Sequence, residues 1–382
     1  MDNNDTLFRF LKKFLSYVLV AALASAGTWF LADRIPNSKL ERLTDAIERK
    51  FIGQADETRL QDAAAEAMIA ELGDRWSYYI SAEDYASHLN NQNNEYVGVG
   101  ITIQKRPDGA GYDILAVEPE GPAAEAGVET GDILTHADGN PVKDLSITQV
   151  RGLVMGEKNT SVVLTLQRGT ESLDVTVKRK TIHKTAAQGQ MLTGNIGYIV
   201  IDNFHEGAGQ ETIREIEKLQ EQGAEKLLFD VRNNPGGYVH EMVNLLDYLL
   251  PEGPLFRSVS YAGREDVEES DASCLEMPMA VLINGNSYSA AELFAAALGE
   301  YDWALTVGEP TTGKAYYQTT VELGDGSAVQ LSTGKYTTPN GVNLTEVGGL
   351  KPDIPVSPAE TLVTVEEDPQ VLAAMQALAG ES

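Results

Sequence analysis

The sequence predicts a multidomain protein of the α/β (α+β) class, and three patterns along its 382 residues indicate this class. After residue 185, apolar strand-like runs alternate with amphipathic helical stretches, as in a sheet interleaved with helices. Residues 95–182 contain short alternating strands and glycine-rich turns. Residues 38–72 carry apolar side chains at helical spacing. We therefore predict four regions, which are residues 1–37, 38–94, 95–182 and 183–382.

The composition limits the partners and cofactors that the protein can have. The chain has 29 basic and 57 acidic residues, a net charge of -28, so its surface does not suit binding to nucleic-acid phosphates. Cys274 is the only cysteine in the sequence, which excludes an internal disulfide framework. The five histidines are scattered and form no ligand-spaced cluster with a cysteine. We expect no metal site, no other cofactor and no nucleic-acid partner.

The N-terminal residues predict export. Residues 14–32 contain no charged side chain, and 19 helical residues would span about 28 Å, close to the hydrocarbon thickness of a bilayer. Arg9, Lys12 and Lys13 precede this stretch, and such a positive flank stays in the cytoplasm. We expect residues 1–37 to be a cytoplasmic tail and a single-pass signal-anchor in the cell membrane, with the rest of the chain extracytoplasmic. Ala24-Ser25-Ala26 resembles a signal-peptidase site, so secretion after cleavage is the alternative.

Residues 38–94 are predicted to form a helical region. Four apolar residues recur at three- and four-residue spacing: Leu40, Leu43, Ile47 and Phe51. Strong helix formers continue to Leu72, where Gly73-Asp74 ends the stretch. We interpret this segment as a packing arm or as a dimer contact that could form a homo-oligomer. An aromatic cluster that includes Trp76 begins a new element.

An ordered series of glycines begins at residue 97. It contains Val97-Gly98-Val99-Gly100-Ile101, then Gly121-Pro-Ala-Ala-Glu-Ala-Gly, Gly131-Asp132-Ile133 and Asp138-Gly139. In this order the segments resemble a PDZ domain of the kind found in exported bacterial proteases. The resemblance makes residues 97–101 the loop whose backbone N–H groups hold a terminal carboxylate while the peptide adds as a strand. It therefore implies partners that are proteins or peptides with accessible C-termini.

Ser289 and Lys314 each lie in a context that suits catalysis. Ser289 follows an apolar run and the break Asn284-Gly285-Asn286, and an alanine-rich helical stretch comes next. A serine at such a turn lies near the free N–H groups of the helix, where negative charge is favoured. Lys314 follows a second apolar run, and a lysine can serve as general base for serine when burial keeps it uncharged. Lowering a lysine pKa from about 10.4 to about 7 destabilises its charged form by roughly 4–5 kcal/mol, which requires a desolvated pocket.

Four motifs occur in the order typical of one protease family. They are Phe229-Asp-Val-Arg-Asn-Asn-Pro-Gly-Gly, Asn284-Gly-Asn-Ser-Tyr-Ser-Ala-Ala-Glu, Val307-Gly-Glu-Pro-Thr-Thr-Gly-Lys and Lys351-Pro-Asp. Through these motifs, residues 70–375 resemble the C-terminal processing peptidases, also called tail-specific proteases, which use a Ser-Lys catalytic pair. The resemblance implies a peptidase core over residues 183–382 and a serine endopeptidase activity.

The resemblance also assigns roles to individual residues. It makes Ser289 the nucleophile, Lys314 its general base and Gln318 the residue that orients the base. The backbone N–H groups of Gly236 or Gly237, together with that of Ala290, would form the oxyanion hole. Glycine permits backbone angles that aim N–H groups into a cavity, so the glycine turn suits this role. This chain has Ala291 where the family usually has serine, and Asn286 and Ala315 where it usually has glycine. These differences remove no catalytic group, but the loops could differ in geometry from those of the family.

Other residues offer competing interpretations. Ser287 is the alternative nucleophile, and His205 or His240 could suggest a Ser-His pair. Residues 308–314 nearly match a phosphate-binding loop, although Ala315 replaces the Ser/Thr that would hold Mg²⁺. Glu292 could polarise the site or serve the first turn of the helix.

Taken together, the sequence predicts an exported serine endopeptidase that captures substrate C-termini through its PDZ domain. Two other classes of function are an inactive PDZ scaffold on a peptidase-like body, and acyl-CoA chemistry, which also uses glycine-built oxyanion holes. The intact Ser289, Lys314 and Gln318 disfavour the first, and the export segment disfavours the second.

Overall fold

The computed structural model describes residues 38–361 and 363–380. The chain divides between Arg75 and Trp76 into two units. In the first unit, residues 38–75 contain two helices, α1 (Lys39–Lys50) and α2 (Glu57–Ala70). Ser38 and Asp56 begin these helices, because each side chain accepts a hydrogen bond from a backbone N–H three residues further on. Neither helix buries a side chain, so both present their apolar residues at the surface.

The N-terminal predictions have different outcomes. The signal-anchor and the cleavage site predicted within residues 1–37 lie outside the described residues and stay predictions. Residues 38–361 and 363–380 include no helix that is long and apolar enough to cross a membrane. The helix expected over residues 38–72 is interrupted at residues 51–56. The rest of the predicted helical region contains strand β1 (Tyr78–Ile80) and helix α3 (Ala82–Gln92), both in the second unit.

The segment after α3 forms a small sheet of its own. Its elements in chain order are β2 (Glu95–Gly98), β3 (Ile101–Lys105), β4 (Tyr112–Val117), α4 (Pro122–Glu125), β5 (Ile133–Ala137), β6 (Asn140–Pro141), α5 (Ile147–Val154), β7 (Ser161–Arg168), β8 (Glu171–Lys178) and β9 (Lys180–His183). The strand order β3-β4-β5-β7-β8, with β6 paired to β5, leaves β3 at an edge. Strands β2 and β9 pair antiparallel with each other outside this sheet, and we call this pair the stem. Tyr112, Leu134 and Leu164 are fully buried in the core beneath the sheet.

The remaining residues build two further sheets. Their elements are β10 (Ala187–Leu192), β11 (Ile196–Ile201), α6 (Ala208–Glu221), β12 (Lys226–Asp230), α7 (Val239–Leu249), β13 (Gly253–Ser260), β14 (Glu265–Ser270), β15 (Met279–Ile283), α8 (Ala290–Glu300), β16 (Ala304–Gly308), β17 (Tyr316–Glu322), β18 (Ala328–Thr337), α9 (Leu344–Val347), β19 (Ile354–Pro355), a 3-10 turn (Val365–Glu367) and α10 (Pro369–Ala379). One sheet has the order β10-β11-β12-β15-β16-β19 and is parallel from β11 onward. The other combines β1, β13, β14, β17 and β18 and is antiparallel.

The parallel sheet is covered on both faces. Ile199 and Phe229 belong to the apolar cluster that includes side chains of α6, α7 and α8. Leu228 and Leu282 belong to a second cluster, which includes side chains of α10. Successive strand residues therefore enter different clusters, as the alternation of a strand requires. Burial on both faces also explains why β15 is apolar throughout, with all five residues buried.

This sheet brings the predicted site residues to one edge. Strands β12, β15 and β16 are parallel neighbours, so their carboxyl ends lie side by side. The loop after β12 carries Gly236 and Gly237, the loop after β15 leads to Ser289, and the loop after β16 leads to Lys314. In open parallel sheets, the crevice at the carboxyl ends of the strands is where ligands bind.

Candidate active site

Ser289 lies at a strained turn directly before helix α8. Its backbone angles are φ 62° and ψ -124°, in a region that a residue with a Cβ rarely adopts. Such a conformation costs of order 1–3 kcal/mol and recurs at sharp strand-to-helix turns that hold a nucleophilic serine. Ala290 and Ala291, which follow it, are buried in the first turn of the helix. The turn therefore has a backbone typical of a catalytic serine.

The glycine turn after β12 packs directly against Ser289. Gly236 has φ +83°, and a Cβ added there would lie 2.8 Å from the Cβ of Ser289 and 2.9 Å from the backbone N of Ala290. Asn234, which is fully buried, holds this turn: its side chain accepts from Gly236 N–H and donates to the backbone oxygen of Ile201, both at 2.8 Å. Only glycine combines this backbone angle with so close an approach.

The same hydrogen bonds show which glycine, Gly236 or Gly237, can supply an N–H group to an oxyanion hole. The sequence did not decide between them. The N–H of Gly236 is bound to Asn234, so it does not point into an open site. The N–H groups of Gly237 and Ala290 have no acceptor among residues 38–361 and 363–380. The pair Gly237 and Ala290 therefore fits an oxyanion hole, whereas Gly236 serves to bring the turn against Ser289.

Backbone contacts with Phe204 fix the position of Gly237. Phe204 N–H donates to Gly236 O at 2.8 Å, and Tyr238 N–H donates to Phe204 O at 2.6 Å. A Cβ at Gly237 would lie 2.3 Å from the carbonyl carbon of Phe204, so a larger residue has no room. The glycine turn is thus attached to the loop that precedes α6.

Glu292 joins the serine turn to the lysine loop. Its carboxylate is fully buried and accepts four hydrogen bonds. Oε2 accepts from the backbone N–H groups of Ser289 at 3.0 Å and Lys314 at 2.8 Å. Oε1 accepts from the Thr311 hydroxyl at 2.5 Å and Gly313 N–H at 2.7 Å. Burial raises the pKa of Glu292, while these donors oppose the shift because they stabilise the carboxylate.

Lys314 is buried beside aromatic rings. Only 8% of the residue is exposed, and its Nζ lies 4.7 Å from the ring centroid of Trp76 and 5.8 Å from that of Tyr288. The two rings also contact each other, with centroids 5.6 Å apart. This burial is what a desolvated lysine pocket requires, and no sequence motif assigned a role to Trp76.

Tyr336 was not singled out by the sequence, yet it contacts both parts of the site. Its hydroxyl donates to the backbone oxygen of Lys314 at 2.5 Å. Burial raises the pKa of Tyr336, and a hydrogen bond with the Ser289 side chain opposes this shift. Tyr336 lies on β18 of the antiparallel sheet, outside the four motifs, so no motif identifies it.

Comparison with known proteins shows which proteases the chain resembles. The profile of peptidase family S41 matches residues 195–356, and a PDZ-domain profile matches residues 114–168. The "Probable CtpA-like serine protease" of Staphylococcus aureus strain N315 is 31% identical over 330 residues, which cover 85% of this chain and 65% of the relative. The protein of the same name from Staphylococcus epidermidis is 29% identical over 323 residues, with 84% and 65% covered. These matches support the C-terminal processing peptidase family.

A similar fold is found in a solved structure. A Bacteroides fragilis protein assigned to the S41 proteases has 16% sequence identity, and its structure covers 91% of this chain and 98% of that chain with a TM-score of 0.56. This likeness concerns the fold alone. The chain spans 65% of the length of the two staphylococcal relatives.

The position of Gln318 leaves its predicted role untested. Gln318 lies on β17 next to a register shift against β18. Its side-chain nitrogen donates to the backbone oxygen of Tyr316 at 3.0 Å and to the Ser332 hydroxyl at 3.1 Å. These bonds hold the amide within its own sheet, and orientation of Lys314 by Gln318 stays a prediction.

The predicted carboxylate loop of the PDZ domain joins β2 to β3. Val97 and Gly98 lie on β2, Val99 and Gly100 connect the strands, and Ile101 begins β3. The carbonyl of Val99 accepts from the N–H of Ala123 in α4, and that of Gly100 accepts from the N–H of Glu118. The N–H groups of Val99 and Gly100 have no acceptor within the described part of the chain. A loop with free N–H groups beside an open edge strand is the arrangement expected for binding a terminal carboxylate.

The competing serine has a structural role. Ser287 is fully buried, donates from Oγ to the backbone oxygen of Val231 at 2.7 Å, and accepts from Asn284 N–H at 3.1 Å. Its hydroxyl therefore links two loops of the sheet edge. The structure gives it no open position from which to attack a substrate.

The near match to a phosphate-binding loop also has a structural explanation. The N–H groups of Gly313 and Lys314 donate to Glu292, so they cannot surround a phosphate. Ala315 is fully buried, and neither it nor Asn286 has a positive φ. The departures from the family's glycines at these two positions therefore cause no backbone strain.

Among the described residues, no hydrogen bond or ion pair joins His205 or His240 to Ser289. His240 stacks on Tyr238 and lies 3.6 Å from Glu206 and 3.4 Å from Glu241. Ligand atoms of these three residues lie within 4.8 Å of one another, a proximity that the sequence did not show because Glu206 precedes a different helix. Both Glu241 oxygens already accept backbone N–H groups, so the cluster does not by itself support a metal assignment.

Proposed function

We propose that the protein is an exported serine endopeptidase in which Ser289 attacks the peptide carbonyl and Lys314 accepts its proton. The resulting oxyanion is held by the N–H groups of Gly237 and Ala290. Protonated Lys314 then gives its proton to the leaving amine, and the C-terminal product departs. Water hydrolyses the ester on Ser289, with Lys314 again accepting a proton.

The observation that supports this proposal most is the contact between the glycine turn and Ser289. Gly236 approaches the Cβ of Ser289 so closely that a methyl group would not fit. The two N–H groups without acceptors, those of Gly237 and Ala290, flank this contact. Donors aimed at the developing oxyanion are the largest single term in many acyl-transfer enzymes, and losing one costs about 10²–10³ in rate.

The position of Lys314 adds a requirement to the mechanism. An ammonium group above an aromatic face is attracted to the ring, so the contact with Trp76 favours the charged lysine. A general base must be uncharged when it takes the serine proton. The entering substrate excludes water from the site, and we therefore propose that Lys314 then leaves the face of Trp76.

The PDZ domain is proposed to supply the substrate C-terminus. The exposed edge of β3 offers unpaired backbone groups to an added strand, and the Val99-Gly100 connection offers N–H groups to the terminal carboxylate. A free carboxylate should therefore matter for turnover. A peptide substrate whose C-terminus is amidated should be cleaved less efficiently, through a higher KM.

Export and membrane attachment are proposed from the sequence alone. The uncharged stretch over residues 14–32 and its basic flank support a single-pass anchor with the catalytic body outside the cytoplasm, and secretion after cleavage is the alternative. The exposed apolar residues on α1 and α2, among them Leu43 and Met68, support a packing arm or a contact between copies.

Substitutions of Ser289 and Lys314 test the catalytic pair, and a substitution of the neighbouring Ser287 is the control. Ser289→Ala and Lys314→Ala should abolish cleavage of a tailed peptide while circular dichroism stays unchanged. Ser287→Ala should destabilise the fold by about 1–3 kcal/mol, since it removes a buried bonded hydroxyl, and should retain cleavage. Cleavage by Ser289→Ala at the wild-type rate would refute the assignment.

An inactive scaffold is the rival function, and a labelling experiment separates it from an enzyme. A serine-directed fluorophosphonate should modify the wild-type chain and the Ser287→Ala variant but not Ser289→Ala. Binding of C-terminal peptides without any labelling would support the scaffold instead. Comparison of secreted-protein C-termini from cells with wild-type enzyme and with Ser289→Ala would then identify substrates.

A further inference from the structure

The stem that connects the small PDZ sheet to the peptidase core ends on a buried asparagine. Asn94 directly precedes β2, and its backbone oxygen accepts from the N–H of Lys184, which directly follows β9, at 2.6 Å. Only 2% of Asn94 is exposed, and its φ is +51°. Asparagine adopts this left-handed conformation more readily than most residues. Both chain connections of the stem therefore meet at Asn94.

The side chain of Asn94 reaches the loop that precedes α6. Its Oδ1 accepts from the side-chain nitrogen of Asn203 at 2.9 Å, and its Nδ2 donates to the backbone oxygen of Glu206 at 3.1 Å. Asn203 is also buried, and its Oδ1 accepts from His205 N–H at 2.8 Å. The two amides thus hold this loop on both sides of Phe204.

Phe204 in turn fixes the proposed oxyanion donor. Its backbone accepts from Tyr238 and donates to Gly236, so it pairs with the glycine turn on both sides of Gly237. The side chain of Phe204 is fully buried against Phe294 of α8, with ring centroids 5.6 Å apart. A displacement of this loop would therefore displace the N–H of Gly237.

We propose that Asn94 and Asn203 are positioning residues. They connect the PDZ stem to the loop at Phe204 and so hold the glycine turn that carries the oxyanion donor Gly237. The inference rests on the proposed peptidase function. Each amide is needed as donor and acceptor at once, since Asn94 accepts from Asn203 and donates to Glu206, while Asn203 donates to Asn94 and accepts from His205. No other short side chain provides both groups in one plane, and an unpaired buried amide is costly.

The proposal predicts a selective defect in turnover. Misplacing a catalytic group by about 1 Å can cost about 10²-fold in rate, whereas substrate binding at the PDZ groove depends on other residues. Loss of the amide pair should therefore lower kcat about ten- to a hundredfold. The KM for a tailed peptide and the affinity for a C-terminal peptide should stay within about twofold of wild type.

The variants for the test are Asn94→Gly, which tolerates the positive φ but lacks the amide, and Asn203→Ala. Asn195→Gly is the matched control, because Asn195 also has a positive φ, 57°, but is exposed and lies in the β10–β11 turn. Because the two amides act as one pair, the double variant should lose no more kcat than the more damaged single variant. Asn195→Gly should keep the wild-type kcat.

Each outcome distinguishes a positioning role of the two amides from a general loss of folded protein. The full chain is assayed at 20 °C, with the folded fraction of every variant determined by circular dichroism and used to correct kcat. A corrected kcat that returns to the wild-type value for Asn94→Gly and Asn203→Ala would overturn the positioning role. Additive losses in the double variant would also overturn it. Activity in Ser289→Ala would instead refute the proposed function, which this test thereby separates from the inference.

Discussion

Ser289 and Lys314 donate their backbone N–H groups to the same carboxylate oxygen, Oε2 of Glu292, at 3.0 and 2.8 Å. One residue comes from the loop after β15 and the other from the loop after β16, so this oxygen connects the proposed nucleophile to the proposed base. The other oxygen of Glu292 binds the same lysine loop through Thr311 and Gly313. This buried carboxylate therefore links the two loops, which are also joined by the hydrogen bonds from Thr312 to the backbone oxygens of Gly285 and Ser287.

Replacing this carboxylate by an amide should reduce activity strongly. In Glu292→Gln, one oxygen becomes an NH₂ group. This group faces either the N–H groups of Ser289 and Lys314 or the N–H of Gly313 beside the Thr311 hydroxyl, so at least one hydrogen bond is lost and the loops shift. We expect kcat to fall about a hundredfold, the size expected when catalytic groups are displaced by about 1 Å. Steady-state kinetics with a tailed peptide measure it. Glu300→Gln is the matched control, because Glu300 accepts from Thr338 and Asn340 at the other end of α8. An equal loss in both variants would contradict the prediction.

Acid should inhibit the enzyme before it unfolds the chain. Burial raises the pKa of Glu292 above its ordinary value of 4.5, so the carboxylate is protonated at a less acidic pH than an exposed one. The neutral acid is a weaker acceptor, and kcat should fall as the pH falls through this pKa. Because the folded-state pKa exceeds the unfolded one, the proton binds more tightly to the folded chain, and this protonation stabilises the fold. Circular dichroism recorded beside the pH–rate profile checks this; an acid limb that coincides with unfolding would contradict it.

The local parts of the site could be predicted from sequence. The turns that carry Gly236 and Ser289 follow apolar strands directly, so their motifs and their positions in the fold are both local. The helical stretch after Ser289 begins at Ala290, because Ser289 adopts a non-helical φ. The choice between Gly236 and Gly237 stayed open, since only the contact with Asn234 shows which N–H is already bound.

Contacts between distant segments could not be predicted in the same way. The antiparallel sheet pairs β1 with β18 and β13 with β18, and pairing of this kind leaves no periodic pattern within any one segment. Tyr336 reaches the site through this sheet, which explains why no motif identified it. The same holds for Asn94, whose partner Asn203 lies 109 residues further along the chain.

A methyl group at Gly236 should inactivate the enzyme more than it destabilises it. In Gly236→Ala, the new Cβ would lie within 3 Å of Ser289 and Ala290, so the oxyanion turn must withdraw from the nucleophile. Gly223→Ala is the control, because Gly223 has φ +97° and open space around it. Both variants should lose about 1–2 kcal/mol of stability from backbone strain, but only Gly236→Ala should lose about 10²–10³ in kcat. Urea unfolding and peptide kinetics give the two readouts, and similar kcat values for both variants would contradict the prediction.

Removal of the Tyr336 hydroxyl should cause a moderate loss. Tyr336→Phe keeps the ring but removes the donor to the backbone oxygen of Lys314, so this buried carbonyl loses a partner. We expect kcat to fall about five- to tenfold, corresponding to roughly 1–1.4 kcal/mol. Tyr301→Phe also removes a hydroxyl that donates to a backbone carbonyl, that of Pro254, away from the site. It should match Tyr336→Phe in stability loss and keep the wild-type kcat; an unchanged kcat in Tyr336→Phe would exclude a role in positioning Lys314.

The peptide-binding loop of the PDZ domain should depend on Arg179, because Val150 and Val154 of α5 share an apolar cluster with Val99 of that loop. This buried guanidinium donates to the backbone oxygens of Leu153 and Val154, the last two residues of α5, and it directly precedes β9 of the stem. Lysine cannot reproduce a planar set of donors, so Arg179→Lys should leave carbonyls at the end of α5 unpaired, at a cost of about 1–3 kcal/mol.

The expected result is faster hydrogen exchange over residues 147–154 and weaker binding of a C-terminal peptide, while fluorophosphonate labelling of Ser289 keeps its wild-type rate. Exposed Lys158, changed to Met, is the control for a cation on the same small domain. Peptide affinity follows from fluorescence anisotropy. If exchange over α5 were unchanged in Arg179→Lys, the guanidinium would not hold the C-terminal end of this helix, and its contacts would reflect only packing of the stem.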